Sequence, residues 1–374
     1  MSTNSSIALQ ASSPGARTGA RTGAGTGTGT RVLIVDDSAV ARALIARQIE
    51  PHARFQVVGA VAHVEAALAF LGDQAADIIL LDVAMPGMDG ITALPRLIAA
   101  SGGARIIIVS ASTPAGGAAA VQAMAHGAAD TLDKPRPQGL AGFGDALLQK
   151  LDALACPPVE RGAPASPAPA MSVAPSPLRI GKAWPEIIGI GASTGGIHAL
   201  AKLFAPIPTT MTVPIVVTQH LPATFIPFFA AQLTAVARRP SVMAEDRMRV
   251  RPGQILVAPG DAHVTFARLA DGSAAIRLKH ERARSGCLPS VDPMFASMAE
   301  LWGDRAWGIV LTGMGRDGLE GARMLKAAGG TIVAQDRESA VVWGMPGAVV
   351  TDGLADAVMT PDAIGAVIAA GAPR

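Results

Sequence analysis

The sequence predicts two α/β domains in one chain, each built on a parallel or mostly parallel sheet. Three observations carry this. Between Arg31 and Leu154, short apolar runs alternate with segments of helical periodicity. The same alternation resumes after residue 185 and continues to the C-terminus. Between them lie repeated Pro-Ala and Pro-Ser pairs with few large side chains. Strands alternating with helices imply a parallel sheet with helices on both faces, and Pro-rich text without large side chains reads as a linker. A chain of 374 residues, half of them apolar, is long enough for two cores.

Taken in order, residues 1–30 are rich in Ser, Thr, Gly and Ala and cannot bury enough apolar surface to offset their ordering entropy, so a disordered tail is expected. The first domain is expected over 31–154. Its strands are Val32–Val35, Val57–Ala60, Ile78–Leu81 and Ile106–Val109, with helices such as Ala39–Ile49 and Ala115–His126. The linker is expected over 155–184. The second domain is expected over 185–374, with strands at Ile187–Ile190, Ile215–Thr218, Gly308–Leu311 and Thr331–Ala334.

Composition excludes several classes. A formal net charge of +2, with no basic run, gives no nucleic-acid-binding surface. Cys156 and Cys287 are too far apart in sequence to suggest a disulfide framework, so a reducing compartment fits. The N-terminus lacks the basic start and apolar core of a secretory signal. No charged residue occurs between Lys202 and Arg238, a span long enough for a bilayer. Pro206, Pro208, Pro214, Pro222 and Pro227 break it, with Gln219 and His220; a buried strand, a loop and a helix are expected there instead. A cytoplasmic chain without membrane insertion, and a monomer, are expected.

In an open parallel sheet, ligands bind at the C-terminal strand ends. In the first domain those ends carry Asp36 and Asp37, Asp82, Ser110, and Lys134 followed by Pro135. Three converging carboxylates repel unless a cation sits among them, and hard oxygen donors suit Mg2+. A lysine and a hydroxyl nearby would steady a transferring phosphoryl group, with Asp82, at the end of the central strand, as its acceptor. Each Asp alone is also an ordinary post-strand turn residue; it is their joint placement that argues for a site. The text Val-Asp-Asp-Ser-Ala (35–39), Leu-Asp-Val-Ala-Met-Pro-Gly-Met-Asp-Gly (81–90) and Asp-Lys-Pro (133–135) resembles the receiver domain of two-component response regulators, a flavodoxin-like fold. The resemblance implies that Asp82 accepts phosphate, that Asp36, Asp37 and Asp82 hold magnesium with the Ala84 backbone carbonyl, and that Ser110 and Lys134 contact the phosphoryl group. One position departs. Receivers usually carry an aromatic switch residue on the fifth strand, where this chain has Thr131; the whole sequence has no Tyr.

The second domain opens with Ile-Ile-Gly-Ile-Gly-Ala-Ser-Thr-Gly-Gly (187–196), a strand running into a glycine-rich turn. One reading is a dinucleotide fingerprint. Against it, the third glycine position is Thr194, and the next strand ends at Thr218, Gln219 and His220 without an acidic residue. The other reading is a nucleophile elbow that exposes Ser193. A serine needs a base, and the base an orienting carboxylate. His220 and Asp317 both follow strands, so one sheet edge can gather all three. His263 and His280 are rival bases, but their alternating surroundings read as antiparallel strands in which a half-exposed structural histidine is expected. Gly313, Gly315 and Gly318 bracket Asp317, either to let backbone approach the reacting atoms or as an ordinary tight turn.

Gly-Ala-Ser-Thr-Gly-Gly (191–196), Thr-Gln-His-Leu-Pro (218–222), Ala-Pro-Gly-Asp-Ala-His (258–263), Pro-Ser-Val-Asp-Pro-Met-Phe (289–295), Leu-Thr-Gly-Met-Gly-Arg-Asp-Gly (311–318) and Gly-Met-Pro (344–346) resemble the catalytic domain of chemotaxis protein-glutamate methylesterases. The resemblance implies Ser193 as nucleophile, His220 as base and Asp317 as its orienter. It places the Met314 amide at the oxyanion, with Thr194 close by. It also implies no metal for the esterase chemistry, a second glutamine deamidase activity, methylated chemoreceptors as substrates and a chemotaxis histidine kinase as phosphoryl donor. The receiver is then expected to cover the esterase cleft until Asp82 is phosphorylated. Cys287 and Leu288 stand where the family usually has an Arg before Pro-Ser-Val-Asp, often preceded by His, and Gly347 stands where bulkier residues are common. A phosphorylation-controlled binding module on the same fold is the alternative reading.

Overall fold

The computed structural model describes residues 29–86, 90–111, 113–134, 140–155 and 184–371. The expected tail lies almost wholly, and the linker very largely, outside the described residues.

The first domain is a five-stranded sheet in the order β2-β1-β3-β4-β5, every pair parallel. Its strands are β1 (Thr30–Val35), β2 (Phe55–Val61), β3 (Ile78–Asp82), β4 (Arg105–Ser110) and β5 (Asp130–Asp133). Its helices are α1 (Ala39–Ile49), α2 (Val64–Asp73), α3 (Gly90–Ser101), α4 (Pro114–Ala125) and α5 (Leu140–Leu154). The central strands are covered on both faces, which is why they read as unbroken apolar runs: Val32–Val35 and Ile78–Leu81 are all buried. Ser38 starts α1 by accepting the Ala41 amide, so the chain leaves Asp36 and Asp37 at the strand end before it turns helical.

The second domain is a seven-stranded parallel sheet in the order β14-β13-β12-β6-β7-β9-β8. The strands are β6 (Ile187–Ala192), β7 (Ile215–Gln219), β8 (Ser241–Met243), β9 (Ile255–Val257), β12 (Ala306–Val310), β13 (Thr331–Gln335) and β14 (Ala357–Met359). A separate antiparallel hairpin, β10 (His263–Arg268) with β11 (Ala274–Lys279), packs on α8 (Val291–Trp302). The remaining helices are α6 (Gly196–Phe204), α7 (Ile226–Ala237), α9 (Leu319–Ala327), α10 (Met345–Thr351) and α11 (Pro361–Gly371). The uncharged stretch resolves as expected into buried β7, a loop and α7; among the described residues no helix is long and apolar enough to cross a membrane. Chain order reverses at β6. The path to β7 goes to one side and β12 enters on the other, so β6 marks the switch point where ligand clefts form.

The two domains pack directly. Helix α4 lies against α6, α7 and the helical turn Ala223–Phe225. Gly117 on α4 sits so close that a Cβ there would lie 2.9 Å from the Phe225 ring and 3.2 Å from the Phe228 ring. Val341 and Val342 of the second domain pack against the α1/α5 side of the first domain's core.

Candidate active site

Two groups of side chains collect at strand ends, one in each domain. In the first, Asp36 and Asp82 are buried and Asp37 is exposed. Lys134 Nζ reaches Asp82 Oδ2 at 2.7 Å and Asp36 Oδ2 at 3.0 Å. The Lys134 amide donates to the Ser110 carbonyl, which ties the ends of β4 and β5 together. Ser110 is buried at the same edge, and the Ala84 amide caps Asp82 Oδ1 at 3.0 Å. Burial opposes the lysine charge, but the bonds to Asp82 and Asp36 outweigh it and raise its pKa. Burial likewise pushes Asp36 up, against the pull of Lys134 and the Ser38 amide. One oxygen from each of Asp36, Asp37 and Asp82 lies within 4.8 Å of the other two. A buried acid disfavoured in its charged form, among hard oxygen donors, fits a magnesium ion. Every residue expected at this site is at the same sheet edge.

The second group sits at the ends of three neighbouring strands. Ser193 follows β6, His220 follows β7 and Asp317 follows β12. Each loop is pinned by its neighbours: Ser193 N donates to Thr312 O at 3.0 Å, His220 N to Ala192 O at 3.0 Å, and Gln219 Nε2 to Ser193 O at 2.8 Å. His220 Nε2 lies 2.8 Å from Asp317 Oδ2. A carboxylate partner requires the proton on Nε2, which leaves Nδ1 as the ring's acceptor. Among the described residues the Ser193 hydroxyl has no hydrogen-bond partner. Gly313 makes the close approach possible, since a Cβ there would fall 2.7 Å from Ser193 Cβ and 2.3 Å from Met345 Sδ. Met314 follows it, half-buried.

Asp317 is 2 % exposed and has three donors: the Ser290 hydroxyl at 2.5 Å on Oδ1, and the Val291 amide at 2.7 Å and His220 on Oδ2. Burial alone would raise its pKa. The bonds from His220, Ser290 and Val291 outweigh burial and hold the carboxyl below its usual range. Neighbouring Asp292 moves the other way, raised by its own burial and then by the Asp317 charge.

Sequence reading missed Ser290. It both caps α8 and orients Asp317, and its only signal was its place in Pro-Ser-Val-Asp. The rival bases are tied up elsewhere. His280 is exposed and bonded to the Asp261 carbonyl. His263 stands at the start of an antiparallel strand as expected, but it is buried rather than half-exposed. Its Nε2 meets the Glu281 carbonyl at 2.5 Å and its Nδ1 accepts the Ser290 amide at 2.9 Å, so it braces the residue that braces Asp317. Thr194 adjoins Ser193 as expected, and its hydroxyl donates to Asp130 of the first domain, which Lys150 also pairs at 2.8 Å. Beside it, Gly195 N donates to Ala129 O at 2.7 Å. The turn after the candidate nucleophile is thus held by the first domain.

Residues 32–141 match the response regulator receiver domain and residues 188–368 match the CheB methylesterase domain. A protein-glutamate methylesterase/protein-glutamine glutaminase of Maricaulis maris is 42% identical over 371 residues, covering 88% of this chain and 92% of the relative. One from Caulobacter vibrioides is 40% identical over 342 residues, covering 91% and 98%. The solved catalytic domain of Thermotoga maritima CheB methylesterase is 34% identical over 50% of this chain and 99% of its own, with a TM-score of 0.48. The two matched domain families and the Maricaulis and Caulobacter relatives place the chain in the family of CheB methylesterases that carry an N-terminal response-regulator receiver domain.

Proposed function

We propose that this chain hydrolyses glutamate γ-methyl esters, and deamidates glutamines, on the cytoplasmic helices of chemoreceptors, and that phosphorylation of Asp82 by a chemotaxis histidine kinase releases this activity. The observation that carries the reading is the His220–Asp317 bond past the ends of the two strands that flank β6, the strand Ser193 follows. The printed names of the relatives support the substrate class.

Ser193 Oγ attacks the ester carbonyl carbon while His220 Nδ1 takes its proton. The charge that develops on the carbonyl oxygen is met by backbone N–H groups, for which the Met314 amide is the candidate. The C–O bond breaks and His220 returns the proton to the leaving methoxy group, which departs as methanol. Water, deprotonated by His220, then opens the acyl-enzyme. With glutamine the leaving group is ammonia. Asp317 remains an anion throughout, fixing the ring tautomer and steadying the imidazolium.

In the receiver, an Asp82 oxygen attacks the phosphohistidine phosphorus and the P–N bond breaks. Asp36, Asp37 and Asp82, with the Ala84 carbonyl, would hold a magnesium ion that neutralises the phosphoryl oxygens, while Lys134 and Ser110 bind those oxygens directly. Occlusion is supported by the contacts of α4 and by the Thr194–Asp130 and Gly195–Ala129 bonds. Moving a two-state equilibrium from 1:99 to 99:1 takes about 5.5 kcal/mol. A bond to a carboxylate at about 1.5–3 kcal/mol and a neutral one at about 1 kcal/mol together fall short, so release must also loosen other contacts such as the Gly117–Phe225/Phe228 packing.

Replacing Ser193 by alanine should lower methanol release from methylated receptor by roughly 10⁴- to 10⁶-fold with the circular dichroism unchanged; near-normal turnover would sink the triad. Ser290→Ala should lower kcat by about ten- to a hundredfold, the worth of a hydrogen bond to a charged group. Ser290→Thr, which keeps the hydroxyl, should recover most of it, and loss without recovery would point to a folding defect instead. Asp82→Asn should abolish stimulation by small phosphodonors yet spare basal activity; a variant that is still stimulated rules out Asp82 as acceptor. Gly117→Leu, a better helix former, should wedge the domains apart and raise basal activity about threefold or more, whereas unchanged or reduced activity is incompatible with occlusion.

A further inference from the structure

We propose that His220, Cys287 and Asp317 form a site for a thiophilic divalent cation such as zinc, and that filling it switches the esterase off. A ligand atom from each lies within 4.8 Å of those of the other two. Nitrogen, sulfur and oxygen donors in threes, with a position left for water, are a zinc ligand set rather than a magnesium one. Asp317 is already positioned by the Ser290 hydroxyl and the Val291 amide. Cys287 sits half-buried in the loop between β11 and α8, and its Sγ lies 4.0 Å from the Ser285 carbonyl. The esterase mechanism gives Cys287 no role.

The chemistry of inhibition follows from the ring tautomer. A cation taken by Nε2, the nitrogen now facing Asp317, needs the lone pair there, so the ring proton must sit on Nδ1. The thiol loses its proton to solvent as the metal–sulfur bond forms. With Nδ1 protonated, His220 has no site to accept the proton of Ser193, and the nucleophile is not activated. The receiver's three carboxylates, all oxygen donors, form a separate group that excess magnesium would occupy.

The full chain, in excess magnesium, would be titrated with cobalt(II) and with zinc. Cobalt should give a thiolate-to-metal charge-transfer band saturating at one equivalent, absent in Cys287→Ser. Zinc should inhibit methanol release reversibly, with a chelator restoring it. In Cys287→Ser the inhibition midpoint, measured against that variant's own metal-free rate, should rise at least about tenfold. Absence of the band in the unaltered chain, or equal zinc sensitivity in the variant, overturns the proposal. The inhibitory half rests on the esterase reading above. The cobalt band reports binding whether or not the chain cleaves methyl esters, so the two readings fail separately.

Discussion

The esterase domain depends on keeping one carboxylate ionised in a place that water hardly reaches. Isolating a charge from solvent costs several kcal/mol unless hydrogen bonds replace its hydration. Asp317 obtains them from segments far apart in sequence: the Ser290 hydroxyl and Val291 amide at the start of α8, and the ring that follows β7. Two further features follow from this need. Helix α8 must begin at Ser290, and His263 must be buried to hold the Ser290 amide. The hairpin that carries His263 therefore shapes the site without touching the reacting atoms. The negative charge also fixes one imidazole tautomer, with the proton on His220 Nε2 and Nδ1 left as the acceptor.

Much of this was legible in the sequence because parallel sheets put their functional residues at one predictable place. Asp36, Asp37, Asp82, Ser110 and Lys134 could be located by finding where apolar runs stop, and Ser193, His220 and Asp317 in the same way. What could not be read was anything set by side-chain packing between distant segments. Ser290 looks like any helix cap, and its second partner is 27 residues away. His263 alternates with its neighbours like a half-exposed strand residue. It is buried because α8 covers its hairpin, which periodicity within a strand cannot reveal. Thr194 belongs to a turn whose hydrogen-bond partner, Asp130, lies in the other domain.

That last contact bears on how a receiver without an aromatic switch residue could govern its neighbour. Strand β5 has four residues, about 13 Å of extended chain. Just past one end, Lys134 is paired with Asp82, the proposed phosphoacceptor; at the other, Asp130 and the preceding Ala129 bond the turn after Ser193. Among the described strands β5 pairs only with β4, so displacing it breaks one ladder rather than two. Thr131, at the switch position, is buried with its hydroxyl unpartnered and so anchors β5 with no side-chain bond. A phosphoryl group that draws Lys134 toward new oxygens would pull directly on the strand that holds the nucleophile turn. An aromatic side chain relays a signal by changing which surface it covers. Where the strand itself touches the neighbouring domain through main chain and a carboxylate, as β5 does, such a relay would not be required of the residue at position 131.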